Sequence, residues 1–182
     1  MKNSKVPDFN RDLKQGQEDE FRFWQISEQY RLEGSGVRLV QLDGKGSDFK
    51  LIERANKPLV ASELIELKTD SYLFGKGKGR TTNFFMELYS NSERQTPGGP
   101  FQAQLHKNVF YVYRFKFEGD IFSFRNNLLV EYLRENDKIL PKAYVNNPYG
   151  NYSSLGYLVP IDGNVKSIYR RAKGPKEINE KQ

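Results

Sequence analysis

Glu63-Leu64-Ile65-Glu66-Leu67-Lys68, read as a strand, alternates: Ile65 and Leu67 fall on one face, while Glu66 and Lys68 share the other with Leu64. Working outward, Val37–Val40 and Phe49–Ile52 read as the two strands before it, joined by a Gly-rich turn from Gly44 to Ser47. A loop through Asn56-Lys57-Pro58 leads into the central stretch. Asn83–Leu88 reads as a fourth strand, and Pro97-Gly98-Gly99-Pro100 breaks the chain before a short helix over 101–107. Val109–Phe117 is the longest β-rich run and reads as a buried strand. Gly156–Val159 reads as a last strand.

Two further stretches carry a helical period. From Asp12 to Glu33, Phe23, Trp24, Ile26 and Tyr30 recur at three- and four-residue steps until Gly34-Ser35-Gly36 stops the helix. Arg125–Arg134 is amphipathic in the same way. Residues 136–151 are rich in Asn, Pro, Tyr and Gly without clear period, which reads as a long structured loop. Residues 1–10 read as disordered and 173–182 as a polar basic tail, leaving one domain over 11–172. The expected class is α/β (α+β), a central mixed sheet flanked by helices.

The 182 residues suffice for one real core. Lysine and arginine number 29 against 23 acids, a formal charge of +6 that suits a polyanionic partner. With 11 tyrosines and 13 phenylalanines, core volume and base-stacking surfaces are both available. The absence of cysteine removes disulfides, zinc–thiolate sites, iron–sulfur clusters and cysteine nucleophiles. No apolar run approaches a membrane span and no signal peptide is visible, so the chain reads as soluble and intracellular, with no membrane partner. A single histidine, His106, excludes chemistries that need two, and no G-x-S-x-G elbow accompanies it. Any metal would therefore take mainly oxygen ligands, which points to Mg²⁺, with Mn²⁺ as a substitute.

Against that background the polar face of the central strand acquires meaning. A carboxylate and an ammonium two residues apart on a rigid strand, facing a second carboxylate, are what a metal-dependent phosphodiesterase needs. Asp48 stands at the mouth of a strand that can pair with the Glu66 strand. Glu20, three and four residues before Phe23 and Trp24, continues the helix's apolar stripe and should point inward. Gly16, one turn earlier, would let a neighbouring backbone approach. The same Glu66 and Lys68 could instead form a structural ion pair on a solvated face.

Gly16-Gln17-Glu18-Asp19-Glu20, Gly46-Ser47-Asp48 and Glu66-Leu67-Lys68 together resemble the PD-(D/E)XK nuclease superfamily, with its helical glutamate, its aspartate and its E-x-K strand. Asn83–Glu87 and Gly99–Ala103 before an aromatic strand resemble small phage-type endonucleases and Holliday-junction resolvases of that superfamily. The resemblance covers residues 12–117 and departs from the pattern at Ser47, where proline would stand. It implies a restriction-endonuclease-like domain and Mg²⁺-dependent endodeoxyribonuclease activity in the cytoplasm of a bacterial or phage-infected cell. It also implies Asp48 and Glu66 as metal ligands, Glu20 assisting at the metal, and Lys68 orienting or activating the water. Asp43 competes with Asp48 for the aspartate role.

The loop Gly75-Lys76-Gly77-Lys78-Gly79-Arg80 is neither a Walker A nor a dinucleotide motif. Its cations, Lys76, Lys78 and Arg80, suit phosphate contact on a flexible scaffold. Arg170, Arg171, Lys173 and Lys176 form a second basic run. Tyr111 and Tyr113 read as sheet packing, and His106 as a helix-surface residue. The rival to a DNA nuclease is a non-catalytic nucleic-acid-binding module on the same fold. Both a monomer and a homodimer stay open.

Overall fold

A computed structural model of the chain describes residues 9–32, 37–42, 48–54, 57–74, 80–106, 108–146 and 152–174. Its elements in order are α1 (Phe9–Leu32), β1 (Val37–Gln41), β2 (Phe49–Arg54), β3 (Lys57–Asp70), β4 (Leu73–Phe74), β5 (Arg80–Thr81), β6 (Asn83–Asn91), β7 (Thr96–Pro97), α2 (Gly99–Ala103), β8 (Val109–Phe115), β9 (Asp120–Arg125), α3 (Asn126–Glu135), β10 (Lys142–Asn146), β11 (Ser153–Pro160), a 3₁₀ turn (Asn164–Ser167) and β12 (Tyr169–Lys173). Strands dominate and helices are few. The fold is mixed α/β.

Six strands form one mixed sheet in the order β1-β2-β3-β8-β9-β12. β3 lies antiparallel to β2 and parallel to β8, with Glu66 opposite Tyr111 and Lys68 opposite Tyr113. A parallel pair needs a crossover, and here the crossover carries β6 and α2. A second, all-antiparallel sheet runs β10-β11-β6-β7.

Each face of the large sheet has its own core. On one face α1 sets Phe23 against Phe49, with Leu39, Leu51, Ile65 and Val112 around them. An ion pair between Lys116 and Asp19 (3.2 Å) and a hydrogen bond from Trp24 Nε1 to the Leu39 carbonyl (3.3 Å) tie that helix down. On the other face the second sheet and α3 close over Tyr111, Tyr113, Phe115, Phe122 and Phe124. Phe84 is the hub there, its ring centroid 4.9–5.4 Å from those of Phe122, Tyr113 and Phe124 in edge-on contacts. The tyrosines of β8 are thus packing residues, as their alternation suggests.

Several expectations change. The second face is covered largely by a sheet rather than by helices. β9 (Asp120–Arg125) is a strand that the sequence pattern did not announce, and α3 starts only at Asn126. Part of the expected loop at 136–151 is β10, whose residues pair with Ser153–Tyr157. Lys173, the first residue of the expected tail, belongs to β12: Arg171 and Lys173 both bind the buried Asp120, at 2.8 and 2.6 Å, and draw β12 onto β9. β3 already includes Lys57 and Pro58, and α1 starts at Phe9 inside the segment expected to be disordered. α2 ends at Ala103, leaving His106 exposed beyond it.

Candidate active site

The hairpin β2–β3 brings the two predicted acids side by side. The Asp48 amide donates to the Ile65 carbonyl at 2.8 Å, and the Leu67 amide donates to Asp48 Oδ2 at 2.6 Å. Asp48 therefore continues the ladder with its side chain, which stands opposite Glu66 just before β2 begins. A backbone hydrogen bond fixes a short carboxylate better than solvent would, and it anchors one oxygen.

Glu66 shares its face with Lys68 and Tyr111. The wall behind it comes from the Pro97–Pro100 elbow. A Cβ at Gly99 would lie 3.1 Å from Tyr111 Cε2 and 3.5 Å from Glu66 Oε1, so only the smallest residue sits there without pushing. A Cβ at Gly98 would meet the Glu87 carbonyl oxygen at 2.3 Å, which fixes the elbow directly on β6. The elbow's third tie is the Asn126 side chain, whose Nδ2 donates to the Pro100 carbonyl at 2.8 Å.

Glu87 is the residue that sequence reasoning missed. Its Oε1 lies 3.3 Å from Lys68 Nζ. The signal was available: it is the lone charge in Asn83-Phe84-Phe85-Met86-Glu87-Leu88, whose Phe84 and Met86 are fully buried. Among the described residues Lys68 pairs with Glu87, and the Glu66 carboxylate accepts no hydrogen bond.

Electrostatics set this group apart. Burial, and then the charges of Asp48, Glu20 and Glu87, push the Glu66 carboxyl up to about 8 despite Lys68. Burial raises Asp48 to about 7, opposed by the Leu67 hydrogen bond and reinforced by Glu20. Glu20 is itself raised, chiefly by burial, while its hydrogen bond from Gln41 Nε2 (3.3 Å) opposes the shift. Buried Tyr111 is pushed up by burial and by Glu87, Glu66 and Asp48 in turn. The cluster has more negative charge than Lys68 can balance.

That surplus fits a hard cation. Among the described residues, however, no group of three or more acids or histidines is arranged to hold a metal ion. Mg²⁺ does not require such a cage, since it keeps several waters and takes one or two carboxylates plus substrate phosphate. Asp48 and Glu66 could supply that pair.

Asp48, Glu66 and Lys68 are thus brought together, with Glu20 near enough to act on both acids through charge. The remaining predictions separate from this site. Among the described residues nothing outside the helix's own backbone lies within 4 Å of a Cβ at Gly16, so none of them brings a neighbouring backbone against it. Asp43, Lys76 and Lys78 lie outside the described residues. Arg80 begins β5 and lies 3.7 Å from Glu118. No helix among the described residues is long and apolar enough to cross a membrane. No protein-family model matches the chain, and neither curated proteins nor solved structures yield a match.

Proposed function

We propose that the protein is a Mg²⁺-dependent endonuclease of the PD-(D/E)XK type, on a restriction-endonuclease-like domain, with DNA as its substrate. The observation that carries this reading is the pair of half-buried carboxylates, Asp48 and Glu66, held side by side at raised pKa with Lys68 beside them. Burying two like charges together is costly, and such a pair persists where a cation or a reaction uses it. The order of elements supports the same reading: a glutamate on α1, the aspartate entering β2, and the E-x-K triplet on β3.

In this reading Asp48 and Glu66 hold the ion and Glu20 adds negative charge behind them. A divalent cation, when bound, polarises the phosphodiester and supplies Lewis-acid stabilisation. Lys68 places its ammonium where it can orient the attacking water or stabilise charge developing on the phosphate. The hydrogen bond that Asp48 accepts from the Leu67 amide presets its angle, so little reorganisation is needed.

One observation favours the rival, a non-catalytic nucleic-acid-binding module: Lys68 already has a partner in Glu87, as a structural strand face would show. Supercoiled plasmid with Mg²⁺, and with EDTA, separates the two. The nuclease nicks plasmid only with the metal. A module retards DNA on a gel and leaves it intact, and nicking in EDTA eliminates the metal mechanism.

A further inference from the structure

We propose that Glu87 is a positioning residue that holds the Lys68 ammonium away from Glu66, so that the Glu66 oxygens stay open to a cation; this rests on the cation site of the reading above. The starting point is a choice the lysine makes. Two residues from Glu66 on the same strand face, Lys68 could neutralise it, yet its ammonium sits 3.3 Å from Glu87 Oε1 instead. A lysine stem has four rotatable bonds and its ammonium binds any nearby carboxylate. Some feature must therefore make Glu87 the better partner.

The second sheet provides it. Phe85's amide donates to the Tyr113 hydroxyl at 3.2 Å, pinning β6 to β8. The Gly98 amide donates to the Leu88 carbonyl at 3.0 Å, pinning it to the elbow. At the second anchor, between Glu87 and Tyr89, the β6–β11 register slips, Tyr89 facing Leu155 but Glu87 facing Gly156. Such a slip re-aims a side chain. A Cβ at Gly98 would meet Glu87's carbonyl oxygen at 2.3 Å and its Cβ at 2.5 Å, so the elbow lies directly against the Glu87 backbone. An ordinary exposed ion pair lacks such support and is worth little. Here the more buried partner is the one that is fixed, at 18% side-chain exposure against 33% for Lys68.

The test is a Mn²⁺ titration by calorimetry of the full chain as wild type, Glu87→Gln, Lys68→Met and the double variant, alongside plasmid nicking. Without its counter-charge Lys68 swings to Glu66, so Glu87→Gln weakens Mn²⁺ binding by about tenfold. It also lowers the nicking rate at saturating DNA without changing the half-saturating DNA concentration. The double variant recovers the Mn²⁺ affinity of Lys68→Met, because no ammonium is left to swing. Should Glu87→Gln bind Mn²⁺ like wild type, or the double variant bind as weakly as Glu87→Gln, the proposal is overturned. If Glu87→Gln does not fold, Glu87→Asp, whose shorter stem withdraws the carboxylate, is scored in the same cycle. A wild type that binds no Mn²⁺ removes the hydrolytic reading and this one together. A wild type that binds Mn²⁺ but does not nick removes only the hydrolytic reading, and the binding cycle still decides Glu87.

Discussion

At the scale of single residues, the proposed function gives Lys68 and the two acids separable duties. A lysine near the reacting phosphate lowers the barrier but is not needed to hold the cation. Lys68→Ala should therefore lose most of the cleavage rate while calorimetric Mn²⁺ affinity stays within a few-fold of wild type or improves, since a repelling charge is gone. Asp48→Ala should lose the metal itself. Normal cleavage by Lys68→Ala would make Glu66-Leu67-Lys68 a structural strand face. The acids also make a stability prediction. Both carboxyls are raised in the fold, to about 7 and about 8, from ordinary unfolded values near 4. The folded chain holds protons that the unfolded chain releases, so stability present below about pH 4 is lost as pH rises toward about 8. Asp48→Asn, which keeps an acceptor for the Leu67 amide, and Glu66→Gln should each melt higher than wild type in EDTA near pH 8, with the advantage gone near pH 4. A wild type that outlasts both at the higher pH would show that these charges are balanced in the metal-free fold.

At the scale of elements, two glycines give opposite predictions. Gly16 lies inside α1, and no described residue outside the helix's own backbone comes within 4 Å of its missing Cβ. Gly16→Ala should stabilise the protein by up to about 1 kcal/mol in urea unfolding. Gly98→Ala drives a methyl into the Glu87 backbone and should cost about 1–3 kcal/mol, displacing Glu87 as it does so. Equal effects at the two positions would contradict the described elbow. How much of this was legible in sequence follows from what each residue's neighbours encode. β1, β2, β6, β8 and α1 were visible because their apolar spacing repeats locally. β9 was not: Ile121, Phe122, Ser123 and Phe124 alternate, but they run without punctuation into α3, and the helical period absorbed Arg125. β10 and β12 owe their strand state to remote partners, Ser153–Tyr157 for one and Asp120 for the other, which no local pattern announces. For the same reason Asp48, Glu66 and Lys68 could be found from their spacing. Glu87 and the Gly98–Gly99 wall reach the site only through the packing of one sheet on another.

For the whole molecule, the +6 charge would make the proposed DNA affinity a salt-dependent quantity. Neutralising Lys76, Lys78 and Arg80 together should flatten the slope of log affinity against log salt by up to about 0.9 for each phosphate that a cation no longer neutralises. An unchanged slope would reduce that loop to a solvated turn. The proposed function rests on one claim, that a half-buried pair of acids and its lysine hydrolyse a phosphodiester with the help of a divalent cation. Plasmid nicking in saturating Mg²⁺ by wild type, Asp48→Asn, Glu66→Gln and Lys68→Ala, each shown to be folded by its melting curve, tests that claim most directly. The account predicts nicking by wild type and a loss of at least about a hundredfold in each variant. Wild-type rates in Asp48→Asn or Glu66→Gln would contradict it.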